Sequence, residues 1–144
     1  MIDVGSKEVT LRVAVARAIV EMPSAVLQML KARSLEKGDA LEIARAAAIL
    51  GAKRTWELLP LCHPLLIERH NLSYEFRERQ VVVTVEVATH SKTGVEMEAL
   101  TSASICALTL YDMLKPHAGT ELVIREVLLT KKSGGKSNFH RKEL

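Results

Sequence analysis

Aromatic residues are scarce in this sequence. Only 3% of its 144 residues are aromatic, so the chain offers few ring faces on which the bases of single-stranded nucleic acid can stack. The net charge of +3 is also far weaker than the basic stripe of a dedicated nucleic-acid-binding protein. We therefore expect no nucleic-acid partner, because a small phosphorylated molecule fits this charge balance better than a polymer does.

The sequence also lacks the patterns of a disulfide framework, a membrane span and a secretion signal. Its two cysteines, Cys62 and Cys106, lie in apolar surroundings without CxxC spacing. Charged residues break every apolar run well before the ~20 residues that a membrane helix needs. The first residues, MIDVGSKEV, contain no apolar signal segment. These patterns predict one cytoplasmic domain over residues 1–144, with no membrane partner.

A complete nucleotide-binding loop is missing as well, although SGGKS near the C-terminus resembles half of one. The P-loop pattern requires a glycine where this chain has Thr130, and it requires a helix behind the loop. Only seven residues follow Ser137, which is too few for that helix. We instead predict a flexible basic tail over 131–144, either solvated or close to an anion through Gly134 and Gly135.

What the sequence does contain is an ordered series of strand and helix patterns. Alternation in VTLRVAVARAIV predicts a strand with one bulky face and one small-residue face that carries Arg12. Pro23 opens a short helix. Asp39, with Glu42 three residues on, predicts the capped start of a second helix, and Pro60 predicts its end. Two strands joined around RERQ follow.

A long apolar helix and a last strand, ELVIREVLL, complete the series. The helix is predicted within KTGVEMEALTSASICALTLYDMLK, with Thr93 and Glu96 as a capping box at its start. Its nearly uniform apolar composition indicates burial. The order β-α-α-β-β-α-β is a βαββαβ pattern with one extra helix in the first crossover. It predicts an α+β sandwich, with an antiparallel sheet and helices on one face.

Charged residues near both ends of the long helix are candidates for chemistry. Asp112 and Lys115 are three residues apart, so they form either a surface ion pair or an acid–base pair tuned by partial desolvation. Glu96 is explained by its predicted capping role, whereas Glu98 is not. Because fourteen helical residues place Glu98 and Asp112 about 21 Å apart, one small ligand reaches both only if copies of the chain share a site.

Lys37 and the segment LCHPL are further candidates. Lys37 precedes a capped helix and is either an ordinary surface charge or a residue that contacts a phosphate or acts as an acid. Cys62 and His63 favour a core cysteine beside a hydrogen-bonding histidine, since a nucleophilic Cys62 would have no visible base beside it. The remaining histidines lack zinc-ligand spacing, so we predict no metal site.

Three long segments, in this order, resemble one known family. KGDALEIARAAAILGAKRTWELLPLCHPL, SKTGVEMEALTSASICALTLYDMLK and KKSGGKS are similar to signatures of the cyclic pyranopterin monophosphate synthase (MoaC) family, over about residues 1–137. The resemblance implies a ferredoxin-like α+β fold and a homohexamer, a trimer of dimers with active sites at the dimer interfaces.

The resemblance also implies a lyase reaction in molybdenum cofactor biosynthesis. The substrate, 3′,8-cyclo-7,8-dihydro-GTP, comes from a radical SAM enzyme that acts before this family. It is rearranged to cyclic pyranopterin monophosphate with release of pyrophosphate. The reaction requires no cofactor, and the sequence leaves open whether Mg²⁺ accompanies the triphosphate. The alternative is a non-catalytic oligomeric module that binds a nucleotide or RNA through the basic tail.

Site residues follow from the matching motifs. The resemblance gives catalytic roles to Lys37, Asp112 and Lys115. It gives substrate contacts to Arg12, Leu61, Cys62, His63, Met97, Glu98 and Lys132. Among these, Arg12 and Lys132 are the basic residues expected around the triphosphate. Leu114 and Pro116 flank Lys115 where the family more usually has cysteine and alanine, and this departure predicts an earlier end of the long helix.

Overall fold

The structure, a computed structural model, describes residues 1–143 and is built on one antiparallel sheet. The strands are β1 (Thr10–Glu21), β2 (Arg69–Arg77), β3 (Gln80–Ser91), β4 (Val123–Ser133) and β5 (Phe139–His140). The helices are α1 (Ser24–Ala32), α2 (Ala40–Lys53), α3 (Thr55–Leu58) and α4 (Glu96–Ala118), followed by a 3₁₀ turn, Gly119–Glu121. None of the helices within the described chain is long and apolar enough to cross a membrane.

The strand order is β2-β3-β1-β4-β5, and every neighbouring pair is antiparallel. Helix α4 lies across β1, β3 and β4, and α2 packs alongside α4. The four long strands and their crossovers therefore have the ferredoxin-like arrangement, and the predicted α+β fold is confirmed. The short α3 and β5 were not predicted.

The core lies on the small-residue face of β1. Ala14, Ala16 and Ala18 are fully buried in one cluster with Ala99 and Ala103 of α4. Short side chains on both surfaces allow the helix axis to approach the sheet closely without leaving voids. The bulky face of β1 points to the other side of the sheet.

The first crossover follows the predicted capping chemistry but is divided into two helices. The Asp39 carboxylate accepts hydrogen bonds from the backbone N–H groups of Leu41 and Glu42, so Asp39 caps α2 as predicted. Helix α2 ends at Lys53 and does not continue to Pro60. The Thr55 hydroxyl donates to the carbonyl of Gly51 at 2.9 Å and so occupies an acceptor at the end of α2.

Two predictions about α4 are wrong. Its N-cap is Val95, without a side-chain cap, and the predicted capping box of Thr93 and Glu96 does not form. The Glu96 carboxylate instead pairs with the ammonium group of Lys132 on β4, at 3.1 Å, because this cation competes with the backbone N–H groups. Pro116 does not end the helix early either, because a proline in the last turns removes only one hydrogen bond and fits a helical φ.

The C-terminal segment differs from the predicted tail. Residues 131–133 belong to β4, and β5 pairs back onto them, with Lys131 opposite His140 and Lys132 opposite Phe139. Gly134 and Gly135 make the connection with φ angles of 93° and 73°. This backbone conformation suits glycine, so the SGGKS segment forms the turn of a short β-hairpin.

Candidate active site

The predicted site residues lie in two groups, one at each end of α4. The group near its start surrounds two neighbouring clefts and contains Arg12, Leu61, Cys62, His63, Glu98 and Lys132. The group near its end contains Lys37, Asp112 and Lys115. Within one chain, Glu98 and Asp112 are fourteen positions apart on α4, which places these two residues about 21 Å apart.

The first cleft has a volume of about 450 Å³ and is rich in basic side chains. It is lined by Lys7, Glu8, Thr10, Arg12, Lys132, Gly134, Gly135, Lys136 and Ser137. The Arg12 side chain is held in place because its Nε donates to the Thr10 hydroxyl at 2.8 Å and its Nη2 to the Lys92 carbonyl at 3.3 Å. The four cations of this cleft outnumber its two neighbouring carboxylates, those of Glu8 and Glu96, so its net positive charge makes it a candidate site for an anion.

The glycine turn brings the C-terminal hairpin directly against Arg12. A Cβ atom on Gly134 would overlap the Leu11 carbonyl oxygen, and one on Gly135 would overlap the Arg12 guanidinium group. Both positions also have positive φ. Glycine is therefore needed here for conformation and for space, and the turn closes the basic cleft over β1.

The second cleft, of about 190 Å³, adjoins the first and shares Lys7 with it. It is lined by Ile2, Val4, Lys7, Leu61, Cys62, His63, Leu65, Thr93, Gly94 and Glu98. Its Leu61–His63 wall is shaped by a turn in which the Cys62 N–H donates to the Leu59 carbonyl at 3.0 Å. Met97 is 41% exposed beside Glu98 but is not part of this lining.

Glu98 is the buried ionisable group of the second cleft. Its residue surface is only 4% exposed. Burial raises the pKa of its carboxyl to about 7, and the negative charge of Glu96 raises it as well. A hydrogen bond from its own backbone N–H opposes these effects and lowers the pKa. A carboxyl with this pKa is able to accept or donate a proton near neutral pH.

Cys62 is half-buried and does not belong to the core. Burial raises the pKa of its thiol, and the charge of Glu98 raises it further. The thiol is therefore protonated at neutral pH, which disfavours a nucleophilic role. Among residues 1–143, no group of three or more His, Cys, Asp or Glu side chains is arranged to hold a metal ion.

The second group is an exposed ion pair with a neighbouring lysine. Asp112 Oδ1 lies 2.8 Å from Lys115 Nζ, and the two side chains are 63% and 55% exposed. The pKa of Asp112 is lowered by its hydrogen bond to Lys115, by the charge of Lys115 and by the charge of Lys37. The pKa of Lys115 is raised by the same hydrogen bond. Of the two alternatives that the sequence left open, the single chain therefore has the surface ion pair, because ion pairing outweighs partial desolvation here.

Several lining residues were not predicted. Lys7 and Thr93 lie at the clefts, and Lys136 joins Lys132 in the first one. The sequence did indicate Lys136, because it directly follows the two glycines. A turn that packs against Arg12 also places the next residue near Arg12. Lys7 had no such signal, because nothing in the local sequence places residues before β1 against the C-terminal hairpin.

The fold and the site define an α+β domain with a basic cleft for an anionic small molecule. The chain belongs to the MoaC family, which it matches over residues 1–135. It is 48% identical over 145 aligned residues to a cyclic pyranopterin monophosphate synthase of Nitratidesulfovibrio vulgaris, covering 99% of this chain and 89% of that protein.

Further relatives have the same name. The cyclic pyranopterin monophosphate synthase of Brevibacillus brevis is 45% identical, and that of Peptoclostridium acidaminophilum is 40% identical. Each alignment covers 99% of this chain and 90% of the relative. These relatives do not favour the alternative of a non-catalytic nucleotide- or RNA-binding module.

Proposed function

We propose that this chain is a cyclic pyranopterin monophosphate synthase, a lyase of molybdenum cofactor biosynthesis. It converts 3′,8-cyclo-7,8-dihydro-GTP to cyclic pyranopterin monophosphate and releases pyrophosphate. The observation that carries this proposal is the full-length similarity to relatives of that name. The two clefts and the charged group at the other end of α4 support it.

The basic cleft suits the triphosphate arm of the substrate. Release of pyrophosphate leaves negative charge on phosphate oxygens, and fixed cations stabilise that charge as it develops. Arg12 is held by two hydrogen bonds, so it is positioned before the ligand arrives. Lys132 pairs with Glu96 at 3.1 Å, and we propose that a phosphate of the substrate replaces this carboxylate as its partner.

The neighbouring cleft suits the pterin precursor. Leu61, Cys62 and His63 form one wall, and Glu98 lies opposite. Ring rearrangement requires proton transfers, and a carboxyl with a pKa of about 7 is able to make them in either direction. We propose that Glu98 exchanges a proton with the ring system, and that Met97 contacts the substrate from the same turn of α4.

We propose that Lys37, Asp112 and Lys115 complete the site from a second copy of the chain. Asp112 lies about 21 Å from Glu98 along α4 of one chain, which is too far for one small substrate to reach both. Exposed apolar side chains support an assembly, since Leu50, Leu66 and Leu108 are each at least half exposed. The proposed particle is a homohexamer, a trimer of dimers, with each active site at a dimer interface.

The proposal includes no bound cofactor, because the rearrangement involves no net oxidation or reduction. Adding a chelator to the assay tests whether Mg²⁺ accompanies the triphosphate. The substrate links this protein functionally to a radical SAM enzyme that supplies the cyclised dihydro-GTP, and we propose that both act in the cytoplasm.

The decisive experiment measures pyrophosphate release from the cyclised dihydro-GTP by purified protein. We expect turnover by the wild type, and kcat lowered about 100-fold or more in Lys37→Ala and Asp112→Ala variants that still bind the substrate. Lys53→Ala, an exposed lysine in the last turn of α2, is the matched control and should keep full activity. Binding without turnover by the wild type would contradict the lyase, and full activity of both site variants would contradict these catalytic roles.

A further inference from the structure

The loop between α1 and α2 carries Lys37 and is fixed at several points. Leu35 anchors the loop because its side chain is buried in the core. The Gly38 N–H donates to the Leu35 carbonyl at 3.1 Å, which closes a turn around the exposed Lys37. Asp39 then caps α2. Lys37 itself makes no hydrogen bond or ion pair within the described residues, so its position depends on how the rest of the loop is held.

Arg33, at the start of this loop, has an unusual backbone conformation. With φ of 55° and ψ of 35°, it is the one non-glycine residue with positive φ in the described part of the chain. Residues other than glycine pay a conformational penalty in this region, so another interaction must compensate. Backbone hydrogen bonds supply part of this compensation, because the N–H groups of Arg33 and Ser34 donate to the carbonyls of Leu30 and Met29 at the end of α1. The Arg33 side chain supplies a further interaction. Arg33 Nη1 donates to Asp39 Oδ2 at 2.6 Å and to Glu42 Oε1 at 3.5 Å.

These contacts connect the two ends of the loop. The guanidinium group of Arg33, at the end of α1, binds the carboxylate that caps the start of α2. Glu42 also pairs with Arg45, whose Nη1 donates to the Leu72 carbonyl at 2.6 Å. The loop is thereby tied through the first turn of α2 to strand β2 of the sheet.

We propose that Arg33 is a positioning residue for catalysis, which clasps the loop from Arg33 to Asp39 and so holds the Lys37 ammonium group beside Asp112. The inference rests on the proposed catalytic function of Lys37 and Asp112. Arg33 does not touch the substrate in this proposal. It acts by reducing the range of positions open to Lys37, and a misplaced catalytic group lowers the rate even when binding is retained.

Arg33→Gly is the appropriate variant because glycine adopts this backbone conformation without strain. The substitution therefore removes the clasp and keeps the turn. We expect an unchanged or higher melting temperature, a kcat lowered about tenfold, and a KM changed by less than about twofold. Arg33→Lys should recover part of kcat, since an ammonium group restores the charge but not the forked geometry.

A double-variant comparison separates this function from a merely structural one. If Arg33 acts through Lys37, then Arg33→Gly should have no further effect on kcat in a Lys37→Ala background. Arg77→Ala serves as the control, because it removes another exposed Arg–carboxylate pair, with Glu75, and should leave kcat unchanged.

The outcomes distinguish this inference from the proposed function. Wild-type kcat in Arg33→Gly, or equal losses of kcat with and without Lys37, would overturn the positioning function while Lys37→Ala remains impaired. An inactive wild type, or a fully active Lys37→Ala, would overturn the proposed function or its site, and the inference with it. A lowered melting temperature with unchanged kcat would assign Arg33 to stability alone.

Discussion

At the scale of single residues, Glu98 shows how burial sets chemistry. The Glu98 carboxyl is buried in the wall of the second cleft, and no cation of the described chain forms an ion pair with it. Removing water from around a carboxylate disfavours its charged form, so its pKa rises. The same burial keeps the thiol of Cys62 protonated. One cleft therefore contains a carboxyl that is partly protonated near pH 7 and a thiol that is protonated there, whereas a nucleophilic cysteine requires a thiolate.

The raised pKa of Glu98 predicts a specific pH dependence of stability. Its folded pKa of about 7 exceeds the ordinary value of 4.5, so the folded state binds more protons between these values. Its contribution is therefore fully present below pH 4.5 and is lost as pH rises to about 7, amounting to roughly 3 kcal/mol at most. Glu98→Gln should remove this loss, and urea unfolding at several pH values measures it.

The quantity to compare is the difference in unfolding free energy between wild type and Glu98→Gln at each pH, because other carboxyls also titrate in this range. The pKa of Asp112 is lowered, so its contribution falls as pH decreases, in the opposite direction. Glu57→Gln, at an exposed carboxyl on α3, is the control and should leave the pH profile as it is in the wild type. A Glu98→Gln profile parallel to that of the wild type from pH 4.5 to 7 would contradict a raised pKa.

At the scale of elements, local patterns predicted the order of strands and helices, but not how their ends pair. Alternation and capping chemistry depend only on neighbouring residues. The predictions based on them, strand β1 and the Asp39 cap, are confirmed. The predicted capping box at Glu96 failed because Lys132, distant in sequence, competes for its carboxylate. The C-terminal hairpin was missed because its stability comes from pairing with β4 and from space that only glycine leaves above Arg12.

The glycine turn gives the next prediction. Gly134→Ala adds strain at φ of 93° and places a Cβ against the Leu11 carbonyl. We expect a loss of stability of about 1–3 kcal/mol and a KM raised about tenfold, because the turn moves away from Arg12. Thermal unfolding and steady-state kinetics measure the two effects.

Gly119→Ala is the matched control for this turn. Gly119 has φ of 52°, but a Cβ there meets nothing within 4 Å. It should therefore lose stability through backbone strain alone and keep the wild-type KM. Equal changes in KM for both variants would show that the turn does not shape the basic cleft.

Replacing Pro116, near the end of α4, should stabilise the protein. A proline at this position lacks the N–H that would donate to the Asp112 carbonyl four residues earlier. Pro116→Ala restores this donor, and we expect about 1–3 kcal/mol of added stability in urea unfolding. Pro23→Ala, at the N-cap of α1, restores no helical hydrogen bond and should give no comparable gain. A destabilised Pro116→Ala would contradict this explanation.

At the scale of the whole molecule, the sequence predicted the separation of Glu98 and Asp112 along α4, on which the proposed shared site depends. Helical rise alone separates Glu98 from Asp112, so a single chain cannot place both around one small ligand. The approach of Lys37 to Asp112 was not derivable in the same way, because it depends on how the loop from 33 to 39 folds back after α1. It followed only from the family resemblance. One chain thus contains both halves of the proposed site, about 21 Å apart along α4.

Subunit mixing tests whether two copies join these halves. Arg12→Ala and Asp112→Ala each disable one half, so each variant alone should be inactive. In a two-fold symmetric dimer with shared sites, a mixed dimer has one intact site and one doubly altered site. Random exchange makes half of the dimers mixed, so co-refolded variants should recover roughly one quarter of wild-type activity.

A site within one chain predicts a different result, because every site in the mixture then carries one defect and activity stays at background. Refolding each variant separately and combining them afterwards supplies the control for exchange. Lys53→Ala mixed with Asp112→Ala supplies a second control, since only half of the sites lose Asp112 in that mixture and activity should be about half. Recovery near one quarter in the first mixture and near one half in the second is the pattern that only a shared site produces, since two copies must then contribute opposite ends of α4 to the same substrate.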